Sequence, residues 1–318
     1  MASSSGPDTD PEDALKEQKG ESDPYRTIEI NDDDTEVDLT HGGLEKIEGL
    51  EKLYQVVVLC LRRNKIKKIE NLESLTTLTE LDFYDNLLTE IENVDTLVNL
   101  VTLDFSFNKI RKIRNIGTLV KLENLFFVNN KISKIENLAS FTNLTMLEFG
   151  SNRIRKLENL DSLTSLKRLF VGRNKITKLE GIGNLKKLEV LSIQSNRLLK
   201  IEGLEGLVCL QELYISHNGI EKLEGLDQNV NLNTLDVAGN RIKRLENISH
   251  LSHLEEFWCN DNKVEDWNDL DELKKIKSLE TVYLERNPIH FNDTSGYRRK
   301  VLLALPELKQ LDATLTGK

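Results

Sequence analysis

No proline stands between Pro24 and Pro288, so across most of the chain no backbone N–H is lost from a regular hydrogen-bonded pattern. Cysteine is scarce. Cys60, Cys209 and Cys259 are odd in number and widely spaced, which argues against a disulfide framework and fits a reducing compartment. Met1–Gly20 has no apolar stretch, so no secretory leader is expected. Nowhere do apolar residues run for the length a membrane-spanning helix needs, and no membrane contact is expected. The five histidines (His41, His217, His250, His253, His290) are scattered, and none joins cysteines or carboxylates at zinc spacing. Phosphate-cradling loops and nucleophile motifs are missing as well. These absences argue against an enzyme, a metal site and a cofactor.

Excess charge of one sign is missing from most of the chain. Residues 1–38 hold 13 acids and 3 bases, a net of −10, which equals the net charge of the whole chain. The remaining residues carry 40 acids and 40 bases and sum to zero, so they have no net field to attract nucleic acid. Residues 1–33 also hold Pro7, Pro11 and Pro24 and are expected to form a disordered acidic tail. Thr9, Ser22 and Thr35 stand near acids there, but a solvated tail is the simpler expectation.

What is present is a period. Asparagine recurs every 22 residues at Asn64, Asn86, Asn108, Asn130, Asn152, Asn174, Asn196, Asn218, Asn240 and Asn262, and again, three residues late, at Asn287. Around each runs one apolar frame, clearest at Leu147, Phe149, Ile154, Leu157, Leu160, Leu163 and Leu166. This is the leucine-rich-repeat pattern, and it predicts a solenoid. Val37, Leu39, Leu44 and Ile47 begin the frame one repeat early, giving twelve repeats over residues 34–290. Residues 291–318 are expected to form a C-terminal cap, a helix from Tyr297 followed by a short return segment.

Each repeat has two halves. Alternation, as in Leu125 and Phe127, predicts a short strand, and the strands must stack in parallel. Spacing by threes, as in Ile66, Ile69, Leu72, Leu75 and Leu78, predicts 3₁₀ or short helical turns. The fold class is therefore α/β, a curved right-handed superhelix with parallel strands on the concave side and 3₁₀ or short helices on the convex side. Twelve strands make a face about 50 Å long. The asparagines are assigned to structure, because a buried amide satisfies the backbone groups that leave the strand ladder.

The residue between the two core positions of each strand must face the hollow. Down the stack it reads Asp38, Cys60, Asp82, Asp104, Phe126, Glu148, Phe170, Ser192, Tyr214, Asp236, Trp258 and Tyr283. Flanking columns add Glu80, Tyr84, Phe107, Met146, Arg168, Glu212 and Glu256. Aromatics with charged neighbours are the composition of a protein-binding face, and the partner should carry basic patches. A basic ridge also follows the asparagines (Lys65, Lys67, Lys68; Lys109, Arg111, Lys112; Arg153, Arg155, Lys156; Arg241, Lys243, Arg244). It reads as a solvated, locally neutralised edge.

The repeat Leu-x-x-Leu-x-Leu-x-x-Asn-x-Ile-x-x-Ile-Glu-Asn-Leu resembles the leucine-rich-repeat regulatory subunit family of protein phosphatase 1. Tyr214–Glu221, Asn247–Leu251, Glu255–Trp258, Trp267–Lys274, Ser278–Pro288 and Tyr297–Pro306 carry the likeness furthest. The resemblance implies a non-catalytic subunit of nucleus and cytoplasm, monomeric on its own, that clasps the phosphatase catalytic subunit with its concave face. It implies independence from the RVxF docking motif, restraint of a metal-incomplete catalytic subunit, a second inhibitor in a ternary complex, and a part in mitosis. The family's contact positions fall on Asp104, Phe126, Glu148, Phe170, Asp236, Glu256, Trp258 and Tyr283; Tyr214 joins them from the concave column. The acidic tail and the link His290–Gly296 depart from the family pattern. The alternative is a structural adaptor in a ribonucleoprotein or axonemal assembly.

Overall fold

The computed structural model describes residues 30–317. Contacts divide the chain into two units, 1–31 and 32–318. The second is the solenoid. Most of the tail expected over residues 1–33, with Thr9 and Ser22, lies outside the described residues.

Twelve three-residue strands form the concave sheet: β1 (Glu36–Asp38), β2 (Val58–Cys60), β3 (Glu80–Asp82), β4 (Thr102–Asp104), β5 (Asn124–Phe126), β6 (Met146–Glu148), β7 (Arg168–Phe170), β8 (Val190–Ser192), β9 (Glu212–Tyr214), β10 (Thr234–Asp236), β11 (Glu256–Trp258) and β12 (Thr281–Tyr283). Each pairs in parallel with the next in chain order. Two short strands close the sheet. β13 (Gln310–Leu311) runs parallel to β12, and β14 (Thr314–Leu315) folds back antiparallel on β13.

The core is the apolar frame, buried from Val37 to Leu311. Directly under the sheet, Phe83, Phe105, Phe127 and Phe149 stack as one column with ring centroids 5.4–5.7 Å apart. A repeat cannot bury this face alone, and each is completed by its neighbours.

The asparagines tie repeat to repeat. Asn152 is typical: its Nδ2 donates to Phe127 O (2.7 Å) and Phe149 O (3.1 Å), and its Oδ1 accepts from Ile132 N (3.0 Å). Asn64 and Asn287 make the equivalent bonds at the two ends. A second set sits seven residues on. Asn71, Asn93, Asn115, Asn137, Asn159 and Asn247 adopt left-handed backbone with φ of 56–61°. Each donates to the carbonyl 24 residues earlier, as Asn159 does to Ile135 O at 2.7 Å. Gly181 holds the same place with φ 69°, where a Cβ would lie 2.5 Å from Leu157 O. Only glycine tolerates that approach.

The convex side corrects the expectation of 3₁₀ helices. Its arcs are successive turns. Single i→i+3 bonds such as Leu75 N→Leu72 O (2.9 Å) and Leu78 N→Leu75 O (3.2 Å) recur every third residue. A helix needs consecutive bonds of this kind. Here some amides between them make shorter i→i+2 contacts, such as Thr76 N→Ser74 O, and side chains such as Thr77 turn to the preceding repeat. Among the described residues helices occur only from Trp267 onward: a 3₁₀ turn (Trp267–Asp269), α1 (Leu270–Leu273), α2 (Pro288–Phe291) and α3 (Thr294–Ala304). The link at His290–Gly296 is thus helix as well, with Asp293 capping α3 through Gly296 N at 2.9 Å.

Candidate protein-binding site on the concave face

The ladder register places the concave column in one row: Asp38, Cys60, Asp82 and Asp104 pair in turn, then Phe126, Glu148, Phe170 and Ser192, then Tyr214, Asp236, Trp258 and Tyr283. Asp104, Phe126, Glu148, Phe170, Tyr214, Trp258 and Tyr283 are half-buried on the hollow, and Glu256 stands beside them. Phe126 and Phe170 lie on either side of Glu148.

Two members of the row do not face solvent. Ser192 and Asp236 are only 5% and 7% exposed. Asp236 lies between Tyr214 and Trp258 in the register, and those rings meet across it at 6.4 Å in an edge contact. Trp258 then meets Tyr283 at 5.8 Å. The expectation that Asp236 points openly into the hollow is therefore corrected: large side chains two strands apart close over the small one between them. The trio is held from both sides, by Tyr214 Oη→Glu212 Oε2 (2.8 Å) and Gln310 Nε2→Tyr283 Oη (2.7 Å). Trp258 Nε1 is buried without an acceptor.

Several acids of the row do a local job. Asp38, Asp82, Asp104 and Asp236 each accept the N–H two residues on (Thr40, Tyr84, Ser106 and Ala238) at 2.7–3.0 Å. This is the Asx turn, and aspartate recurring where the strand ends was its sequence signal. Burial pushes the Asp82 carboxyl up to about 6, against the pull of the Tyr84 N–H and Arg62. Burial likewise raises Asp104, Glu148 and Asp236. At the first repeats a second aromatic group forms. Arg62 pairs with Asp82 (3.1 Å) and lies 4.6 Å over the Tyr84 ring, which meets Phe107 at 4.8 Å. Arg62 had no distinguishing signal in the sequence, since its role depends on a ring 22 residues away.

Two family profiles match this architecture. One, described as leucine-rich repeat, covers residues 79–172 and 210–315; the other, described as leucine-rich repeats in two copies, covers 186–228. The chain belongs to the leucine-rich-repeat family. Among solved structures this leucine-rich-repeat chain is similar to an internalin from Listeria monocytogenes, with TM-score 0.70 and 25% identity over 88% of this chain and 87% of that one. A leucine-rich-repeat protein of Leptospira interrogans superposes with TM-score 0.66 at 22% identity, over 82% of this chain and 73% of that one, which speaks to fold alone. Among curated proteins it is 59% identical over 44 residues to "Protein phosphatase 1 regulatory subunit SDS22 homolog" of Caenorhabditis elegans, covering 14% of each chain. It is 62% identical over 42 residues to the human "Protein phosphatase 1 regulatory subunit 7", covering 13% of this chain and 11% of that protein. The fission yeast relative, "Protein phosphatase 1 regulatory subunit SDS22", is 50% identical over 46 residues, 14% of each chain. The matched stretches thus span about a seventh or less of those relatives.

Proposed function

We propose that this chain is a non-catalytic regulatory subunit that binds the catalytic subunit of protein phosphatase 1 through its concave face and controls its activity, assembly or targeting. The names of its relatives support this reading, and one observation carries it: the Tyr214–Trp258–Tyr283 group. A contiguous, half-buried aromatic surface on the hollow is the kind of surface that a partner covers. Glu212 and Glu256 beside these rings, and Glu148 between Phe126 and Phe170, suit a partner with lysine and arginine. Tryptophan and tyrosine ringed by polar groups are the composition of binding hot spots.

The reading includes a single chain as the free form, a second phosphatase inhibitor joining the complex, and action in nucleus and cytoplasm. Its test is binding of the purified catalytic subunit. The double substitution Phe170→Ala/Trp258→Ala should weaken binding by about 100-fold or more, since each anchor is of the class worth about 2 kcal/mol. An RVxF peptide in excess should leave binding intact. Unchanged affinity of a folded double variant overturns the proposal.

A further inference from the structure

Beyond the hollow, the structure shows a block of charge that the repeat does not require. Past each ladder asparagine the second and fifth residues enter the core, and the first, third and fourth face water. In the repeats that follow Asn108, Asn130, Asn152 and Asn174, ten of these twelve places are lysine or arginine; the other two are Ser133 and Thr177. None is acidic. The frame tolerates acids there: Glu90, Glu221, Glu265 and Asp266 occupy the same columns in other repeats. Lys65, Lys67 and Lys68, and Arg241, Lys243 and Arg244, fill the same columns elsewhere, so the frame does not require the cations but carries them in four successive repeats only here.

The block is poorly neutralised. Among the described residues only Lys156 and Lys178 of the ten form ion pairs, both with Glu180 and both long, at 3.6 and 3.9 Å. Glu136 and Glu158, which follow in the same repeats, make no ion pair with it, so the neutralisation expected of this edge is confined here to Glu180. Its backbone is also fixed. Lys131 N, Arg153 N and Lys175 N each donate to the preceding repeat (Ile110 O, Ile132 O, Ile154 O) at 2.8–2.9 Å. The cationic columns are thus carried on a rigid comb with a pitch of about 5 Å.

We infer that this ridge is a second interaction surface, separate from the concave face, and that its partner is an extended, Asp/Glu-rich protein segment. Unpaired like charges held at such spacing repel one another in the free chain, and an opposing row of carboxylates relieves that. Arginine forks match carboxylates in pairs. Nucleic acid fits less well. No aromatic occupies any of the twelve places, so bases have nothing to stack on. The array as a whole is neutral and offers no long-range steering.

The test uses the full chain and a fluorescent glutamate peptide of about sixteen residues, followed by anisotropy. Binding is expected to saturate, and to weaken about tenfold or more between about 0.05 and about 0.3 M salt. The charge reversal R111E/K134E/R153E/R155E should weaken it at least about tenfold, while K52E/K121E/K186E/K187E, which reverses four bases off the ridge, should change it less than about threefold. Should the ridge reversal misfold, the neutral pair R153Q/R155Q still lowers affinity severalfold. Equal loss in both sets, no binding at low salt, or tighter ridge-dependent binding of a uridine oligonucleotide or of phosphatidylserine vesicles overturns the inference. Phosphatase binding is not part of the readout, so the two proposals fail separately.

Discussion

Each ladder asparagine both donates and accepts through one side chain. Asn152 holds the Phe127, Phe149 and Gly150 carbonyls with its Nδ2 and one N–H with its Oδ1. Asn152→Ala leaves these four backbone groups without that partner and is expected to cost about 2–4 kcal/mol. Asn159, by contrast, sits at φ 58° and makes one bond across repeats. Asn159→Gly keeps the backbone at ease and loses that one bond, a cost of about 1 kcal/mol. Urea unfolding of the two variants checks the ranking. A larger loss for Asn159→Gly would mean that the second set, not the first, ties the repeats together.

At the scale of elements, the last repeat shows how an insertion is absorbed. Its extra residues form the 3₁₀ turn and α1, and carboxylates replace the usual asparagine. Asp269, buried, accepts from Arg244 Nε (2.7 Å) and Leu245 N (3.0 Å), and Glu272 Oε1 accepts from Ile248 N and Ser249 N. The cap beyond is latched by Asp312, whose Oδ1 takes the N–H groups of Leu284 and Glu285 and whose Oδ2 takes the Tyr297 hydroxyl. For Glu272, burial works against ionisation, but the Lys275 bond and the two backbone N–H groups outweigh it and bring the carboxyl to about 2. A carboxyl lowered on folding stabilises the fold above its ordinary value near 4.5, and that contribution is lost as pH falls toward 2. Between pH 5.5 and pH 3 the wild type should therefore lose about 1–2 kcal/mol that Glu272→Gln does not. Denaturation midpoints at the two pH values decide it. Parallel losses in both proteins would remove Glu272 from the account.

At the scale of the whole molecule, the proposed function makes partner binding at the concave face depend on pH. Burial brings the Asp82 carboxyl to about 6, so it takes up a proton just below neutrality, and burial raises Asp104, Glu148 and Asp236 in the same direction. A basic partner binds the ionised form, so affinity should rise with pH through this range and fall severalfold from pH 7.5 to pH 5.5. Loss of fold through Asp82 does not explain such a fall. A carboxyl raised on folding makes the folded state gain stability as pH drops through its value. Titrating the catalytic subunit calorimetrically at both pH values tests this, and pH-independent affinity would mean that the raised acids do not meet the partner's cations.

The period, the strands, the parallel order and the row of residues over the hollow were legible in the sequence. Each strand pairs only with its two neighbours, so a position 22 residues away in the chain is adjacent in space. The asparagine column showed where to begin counting. What the tertiary structure decided are contacts that skip a repeat or lie outside the frame. Tyr214 and Trp258 stand two strands apart and close over Asp236, which no periodicity reveals, because it depends on ring size and on how tightly the sheet curves. The convex arcs became turns in place of 3₁₀ helices, since their amides find partners in single contacts and not in series. The basic ridge was visible as letters, but which glutamates pair with it depended on side-chain placement, since Glu180 reaches Lys156 and Lys178 and Glu136 and Glu158 pair with none of it.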